Sequence, residues 1–190
     1  MSAPRRYHPF YCEENAWWLL QEGALPDPAW AIFITNTSRQ VAMWGQRTAP
    51  PGQPVVWDYH VVAASGAPGE MLIWDLDCRG GAPLSGLEWW AASFPVLPPP
   101  DLAARFRVVP RDVLASRFAS DRRHMLSADG LWSAPPPPWP CIRGPEATHE
   151  EHSLPAFLDL ESHPDLGEVR DGTGFRAWVT GDMAFDGQPV

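Results

Sequence analysis

Three residues of this 190-residue chain have side chains suited to nucleophilic acyl chemistry: Cys12, His60 and Asp75. A thiolate attacks, an imidazole takes the thiol proton and returns it to the leaving group, and a carboxylate fixes the imidazole tautomer. His60 lies in a β-rich run over residues 54–64 and Asp75 in a second run over 71–76. Between them, Ser65-Gly66-Ala67-Pro68-Gly69-Glu70 is a strong turn signal. A turn centred on the Ala67–Pro68 bond sets Val61 opposite Trp74 and His60 opposite Asp75. Opposed residues share a face with Cβ atoms about 4.5–5.5 Å apart, close enough for a carboxylate to accept from an imidazole N–H. A one-residue slip would move Asp75 to the other face. Cys12 stands at the expected start of a helix, where unpaired N–H groups and the dipole favour a thiolate and would suit an oxyanion. Each residue also has a plainer reading. A cysteine near a helix start is often a small packed residue, and a histidine in a strand is often structural or solvated. Asp75 is harder to set aside, because an unpaired carboxylate in an apolar strand costs several kcal/mol.

The elements that must position these residues can be read from pattern. A helix is expected just after Cys12, with Glu13 and Glu14 in its first turn, a buried face of Ala16, Leu19 and Leu20, and a stop at Gly23. Residues 29–35 and 40–46 read as strands around an Asn36-Thr37-Ser38 turn. Helical stretches are expected over 84–93 and 112–118, the latter after a short strand over 106–109, and a short helix near 154–160. Helix first, then neighbouring strands, then helices reads as α+β with a mostly antiparallel sheet. The length fits a single domain over residues 1–190.

Composition excludes several classes. There are 14 basic and 23 acidic residues, a formal net charge of -9. No basic stripe is present, so no nucleic-acid partner is expected, while a cationic group such as a free ammonium terminus is mildly favoured. No apolar stretch approaches the ~20 residues of a membrane helix, so no membrane partner is expected. Met1 to His8 lacks the apolar region of a secretory signal. Three widely spaced cysteines, Cys12, Cys78 and Cys141, argue for free thiols in a reducing, cytoplasmic setting. Cys78 and Cys141 read as inert packed thiols. No Cys-x2-Cys or His-x3-His pair starts a zinc site, so no metal is expected. The 23 prolines and 11 tryptophans are unusual. Prolines cluster at 98–100 and 135–138, and the second run is flanked by Trp132 and Trp139, which should want burial.

Five segments, in order, carry a resemblance: Tyr11-Cys12-Glu13-Glu14-Asn15; Trp57-Asp58-Tyr59-His60-Val61-Val62; Asp75-Leu76-Asp77; Phe118-Ala119-Ser120-Asp121-Arg122-Arg123-His124-Met125; and the proline-rich stretch before Cys141. Together, over about residues 7–178, they resemble the protein N-terminal glutamine amidohydrolase family. The Trp-rich middle (Leu87-Glu88-Trp89-Trp90 and residues 97–100) has no counterpart in that resemblance. The resemblance implies a papain- or transglutaminase-like α+β core, the nucleophile at a helix N-terminus and a triad of Cys12, His60 and Asp75, the three residues chosen by spacing. It implies deamidation of an N-terminal glutamine through a thioester, with no cofactor, on a peptide or protein substrate.

Such a substrate needs a carboxylate to read its α-ammonium. Glu13, beside the nucleophile, and Asp58, on the His60 strand face in a regular strand, are the candidates. Glu14, the other carboxylate near the triad, is a candidate too, with service to the helix dipole its favoured reading. Trp57, Tyr59 and Trp74 are expected in the core. His124 is open between a role behind the site and a surface or capping role, Asp121 is expected to pair with an arginine, and His8, His152 and His163 are left at the surface. A monomer is expected. Two other functions remain open: another papain-like hydrolase or glutamine-directed transferase, and a non-catalytic Trp/Pro-rich interaction module.

Overall fold

Alternation of burial builds this protein around one antiparallel sheet with a core on each face. The computed structural model describes residues 6–23, 25–147 and 152–181; the reading of the N-terminal residues as no secretory signal falls largely on residues 1–5, outside the described residues. The first helix, α1 (Cys12–Gln21), starts at Cys12 itself. It is followed by β1 (Ala29–Thr35), β2 (Val41–Met43), β3 (Val55–Trp57), β4 (His60–Ser65), β5 (Leu72–Trp74) and β6 (Leu84–Ser85). Then come α2 (Gly86–Ser93), β7 (Arg105–Pro110), α3 (Arg111–Arg117), β8 (Ala119–Ser120), β9 (Ile142–Arg143), α4 (Leu154–Leu158), β10 (Glu168–Arg170) and α5 (Gly172–Thr180). The main sheet runs β10-β7-β1-β4-β5-β6, with antiparallel pairing throughout, and β2–β3 and β8–β9 form two small ribbons.

Period-two alternation sends Ala31, Phe33, Val61 and Ala63 to one face, where α1, α3 and α4 cover them. Ile32, Ile34, Val62 and Ala64 face the other way, against Trp89 of α2 and Phe175 and Val179 of α5. The mixed fold and antiparallel sheet are thus as expected. α2 falls within the expected 84–93 stretch but starts two residues later, where Ser85 and Glu88 form a capping box. Among the described residues no helix is long and apolar enough to cross a membrane.

The differences from expectation are local. The expected continuous strand over 54–64 breaks at Asp58–Tyr59, so β3 pairs with β2 and β4 joins the main sheet. The β4–β5 register pairs Ala63 with Trp74 and Ser65 with Leu72, two residues away from the expected alignment. A shift of two keeps every side chain on its face. His60 and Asp75 are therefore diagonal neighbours, not directly opposed, and remain on one side of the sheet. The strand over 40–46 shortens to three residues, β8 and β9 had no counterpart in the sequence reading, and β10 and α5 are tail elements whose positions it left open.

Candidate active site

His60 begins β4 and Asp75 follows the last residue of β5, so the sheet's register, not sequence proximity, joins them. His60 Nε2 lies 3.0 Å from Asp75 Oδ1, and both residues are buried. Asp75 is fully satisfied. Oδ1 also accepts from the Asp77 backbone N–H (3.1 Å), and Oδ2 accepts from Gln46 Nε2 (3.0 Å) and Trp89 Nε1 (3.1 Å). Burial pushes the Asp75 carboxyl up, but the His60 charge and the bonds from His60, Gln46 and Trp89 outweigh it and hold it below its ordinary value. Burial pulls the imidazole down, yet the Asp75 charge and hydrogen bond win, and its pKa is raised. With Asp75 ionised, Nε2 carries the proton that Asp75 accepts, leaving Nδ1 as the basic nitrogen of the neutral ring. The indole of Trp57 stacks on the imidazole at 5.5 Å and 13°. The break before β4 makes this possible: Trp57, expected to point away from His60 into the core, lies against it instead.

Cys12 occupies the first position of α1, and α1 packs across β4. Its Sγ donates to Glu13 Oε2 at 3.7 Å and is hydrogen-bonded by the backbone of Val61, the residue after His60. Among the described residues no hydrogen bond joins the sulfur to His60. The structure therefore brings His60 and Asp75 into contact and sets the thiol against the backbone beside them. The helix start does not deliver the low thiol pKa expected from the dipole. Burial, with the charges of Glu13, Asp77 and Asp58, pushes the Cys12 thiol well up, and the Val61 hydrogen bond offsets only part of this. Desolvation beside three carboxylates outweighs half a helix-dipole charge.

A cavity of about 320 Å³ opens onto Cys12, with Trp57, Asp58, Tyr59, His124 and His152 among its walls. Asp58 is exposed there and uses Oδ1 on the Tyr59 N–H, so it lies at the wall but not on a strand face shared with His60. Tyr59 is buried as expected, yet its hydroxyl donates to Glu13 Oε2 (3.1 Å) and meets His124 Nε2 at 3.2 Å. Glu13 is 1% exposed; its Oε1 has no hydrogen-bond partner and lies 3.5 Å from His124 Nε2. His124 stacks on His152 at 5.0 Å and 16°, and His152, expected at the surface, belongs to the cavity wall. Burial, then the neighbouring His124, lowers the His152 pKa. Nothing local in the sequence signalled His152, because the chain leading into α4 delivers it from more than 90 residues beyond His60. A stronger signal was available for His124: it lies in the same 118–125 segment as Arg122.

The proline-rich stretch acts on this site from behind. Glu14, favoured as a dipole residue, is buried and forms a two-point ion pair with Arg122, at 2.7 and 2.9 Å. Trp139 Nε1 donates to Glu14 Oε2 (2.6 Å), Arg122 also donates to the Pro137 and Trp139 carbonyls, and Tyr11 donates to the Ala134 carbonyl. Residues 134–140 are thereby fastened to the turn of α1 that carries Cys12, and Trp139 uses its polar edge inward. Trp132, expected to be buried, is 42% exposed. Arg107, fully buried, ties down the chain around and after α4 by donating to the carbonyls of Phe157, Asp159, Ser162, His163 and Gly167. Asp121 pairs with Arg123 as expected. Cys78 is buried; Cys141, expected to be packed, is exposed. His8, left at the surface, is half-buried and meets the Pro135 carbonyl.

His60, Asp75 and Asp77 bring ligand-type atoms within 4.8 Å of one another. The donors around them do not suit a cation: each Asp75 oxygen already accepts two N–H groups, and Asp77 Oδ1 accepts the Tyr7 hydroxyl at 2.6 Å. The cluster is a hydrogen-bonded support for an imidazole.

A buried imidazole–carboxylate pair and a cavity-facing thiol at one end of an antiparallel sheet define a mixed α/β protein equipped for acid–base and nucleophilic chemistry. Comparison with known proteins gives the family. The family model described as N-terminal glutamine amidase matches residues 7–179. Proteins named protein N-terminal glutamine amidohydrolase are similar: from Danio rerio at 33% identity (86% of this chain, 83% of that protein), from Homo sapiens at 34% (86% and 82%), and from Arabidopsis thaliana at 37% (89% and 82%). The chain belongs to the N-terminal glutamine amidase family.

Proposed function

We propose that this protein hydrolyses the side-chain amide of a glutamine at the N-terminus of a peptide or protein, releasing ammonia and leaving glutamate. Cys12 is the nucleophile, His60 the acid–base group and Asp75 its orienting partner. The observation that carries the reading is the buried His60–Asp75 pair at the head of β4, whose next residue touches the Cys12 sulfur, in a chain of this family.

The raised thiol pKa shapes the mechanism. Cys12 rests protonated, so its proton passes to His60 Nδ1 as sulfur attacks the amide carbon. The tetrahedral oxyanion is met by N–H groups at the start of α1. It collapses with cleavage of the C–N bond, His60 returns the proton to the departing ammonia, and a thioester remains. Water, deprotonated by His60, attacks that thioester; the glutamate leaves and the thiol is restored. Every step uses groups of this chain and water.

Glu13 reads the α-ammonium. It is buried, keeps one oxygen without a hydrogen-bond partner, and sits behind the cavity wall beside Cys12, Tyr59 and His124. A buried carboxylate of this kind favours a cation strongly. Asp58, exposed at the same wall, attracts that cation at the entrance. The ammonium also offsets the Glu13 charge that holds the thiol protonated, so a free N-terminus assists chemistry as well as binding. The reading extends to one papain- or transglutaminase-like amidohydrolase domain, supported by the nucleophile-bearing helix packed on an antiparallel sheet. It further makes the protein a monomer of the cytoplasm, where three free thiols persist.

Ammonia release from peptides with Gln first, Asn first, N-acetylated Gln first and Gln internal tests the proposal, with Cys12→Ser alongside. Turnover is expected on the first peptide alone and lost in the variant. Equal turnover of the Asn-first or internal-Gln peptides removes the assigned specificity.

A further inference from the structure

Four non-glycine residues among those described hold a left-handed backbone, and two of them, Phe10 (φ 68°) and Arg39 (φ 53°), line the Cys12 cavity. Residues with a Cβ avoid this region unless their surroundings impose it, and such residues gather at functional sites. At Arg39 the imposition is visible. The Arg39 N–H bonds to the Asn36 carbonyl. The Asn36 side-chain oxygen accepts from Ser38 Oγ (2.9 Å) and the Gln40 N–H (3.0 Å), and its amide nitrogen lies 2.9 Å from the Asp101 carbonyl and 3.1 Å from that of Ala103. Asn36 is 6% exposed, so the turn is anchored from inside and pins the one residue that reaches the cavity.

That residue ends in an exposed guanidinium which, among the described residues, has no hydrogen bond or ion pair from its side chain. It is a cation at the wall of a cavity whose other fixed charges are Asp58 and, behind Tyr59, Glu13, on a chain of net charge -9. In the reading above the cavity takes the ammonium and the glutamine side chain, and Arg39 lines that same cavity within the space open to the residue that follows. Phe10, 54% exposed, lines the same cavity and offers apolar surface to a methylene stem. Arginine matches a carboxylate with two parallel donors.

Resting on the N-terminal glutamine reading above, we propose that Arg39 forms the subsite for the second residue of the substrate and reads an acidic side chain there. Peptides and proteins beginning Gln-Glu or Gln-Asp are then the preferred class.

The test is kcat/KM, by ammonia release, for otherwise identical peptides whose second residue is Glu, Gln, Ala or Lys. Glu against Gln isolates the charge at constant shape. The wild type is expected to favour Glu over Gln about three- to fivefold, as for a partly exposed ion pair, and less at high salt. Arg39→Gln brings that ratio to unity, and Arg39→Glu reverses it in favour of Lys, with thermal midpoints reporting that both variants fold. A wild-type ratio of unity overturns the inference. So does an Arg39→Gln variant that slows all four peptides equally while keeping the ratio, because Arg39 then holds backbone. Ammonia from none of the four peptides overturns the deamidation itself and the subsite with it.

Discussion

Replacing Asp75 with asparagine separates the two things this carboxylate does. Each of its oxygens accepts two N–H groups, from His60 and Asp77 on one side and from Gln46 and Trp89 on the other. An asparagine must turn its NH2 toward one of these pairs. The Gln46 side is the less costly choice, because Gln46 Oε1 is buried without a partner and a flip of that amide presents it as an acceptor. The Trp89 indole N–H and the flipped Gln46 NH2 then lose their acceptor, at about 1–3 kcal/mol each. The fold should survive a loss of that size against a typical total of about 5–15 kcal/mol. Function should not. Without the charge, burial is left to dominate His60, the raised imidazole pKa falls, and the imidazolium formed during attack loses its counter-ion. By analogy with carboxylate-to-amide changes in hydrolase triads, kcat/KM on a Gln-first peptide is expected to drop on the order of 10³–10⁴-fold. Urea unfolding and ammonia release on the same preparation measure both numbers. Asp75→Asn that keeps activity within about tenfold of wild type, at whatever stability, would refute the orienting role.

Glu13→Gln removes the carboxylate 3.7 Å from the thiol; Cys12 should alkylate faster with iodoacetamide at neutral pH, and the preference for free over N-acetylated Gln peptides should shrink. Arg122→Met breaks a buried ion pair and leaves Glu14 uncompensated; unfolding should lose about 3–5 kcal/mol, with faster proteolytic cutting in residues 134–140 as a local readout. Activity should rise with pH through a value above 6.5, since the raised His60 must be neutral to accept the thiol proton. Stability runs the other way. The His60 contribution is present in full below 6.5 and is lost as pH rises through its raised pKa. The Asp75 contribution is present above 3.8 and is lost as pH falls through its lowered pKa. The stability gap between wild type and Asp75→Asn is therefore widest between those two values.

Sequence reached the long-period features and the single hydrogen-bonded pair. The Glu-Glu first turn and the continuous apolar run of β1 are local signals, and both elements stand where they put them. The His60–Asp75 contact survived a wrong register because the error was even, and an even shift keeps the face. What sequence missed depends on tertiary closure. The break at Asp58–Tyr59 follows from β3 leaving the main sheet to pair with β2, which no local pattern announces, and it decides that Trp57 covers His60. Glu14 looked like a dipole residue because its partner, Arg122, lies 108 positions away. The thiol pKa was misjudged for the same reason: the dipole is visible in a helix start, whereas burial and the charges of Asp58 and Asp77 appear only when the sheet closes around Cys12.

Deamidation through the proposed nucleophile requires a bond between the Cys12 sulfur and the glutamine side-chain carbon. Intact-mass analysis of enzyme quenched in acid during turnover of a Gln-first peptide tests it directly. A species heavier by the peptide minus ammonia, mapped to Cys12, absent in Cys12→Ser and removed by hydroxylamine, is expected. Steady ammonia release with no such species, together with full activity in Cys12→Ser, would contradict it.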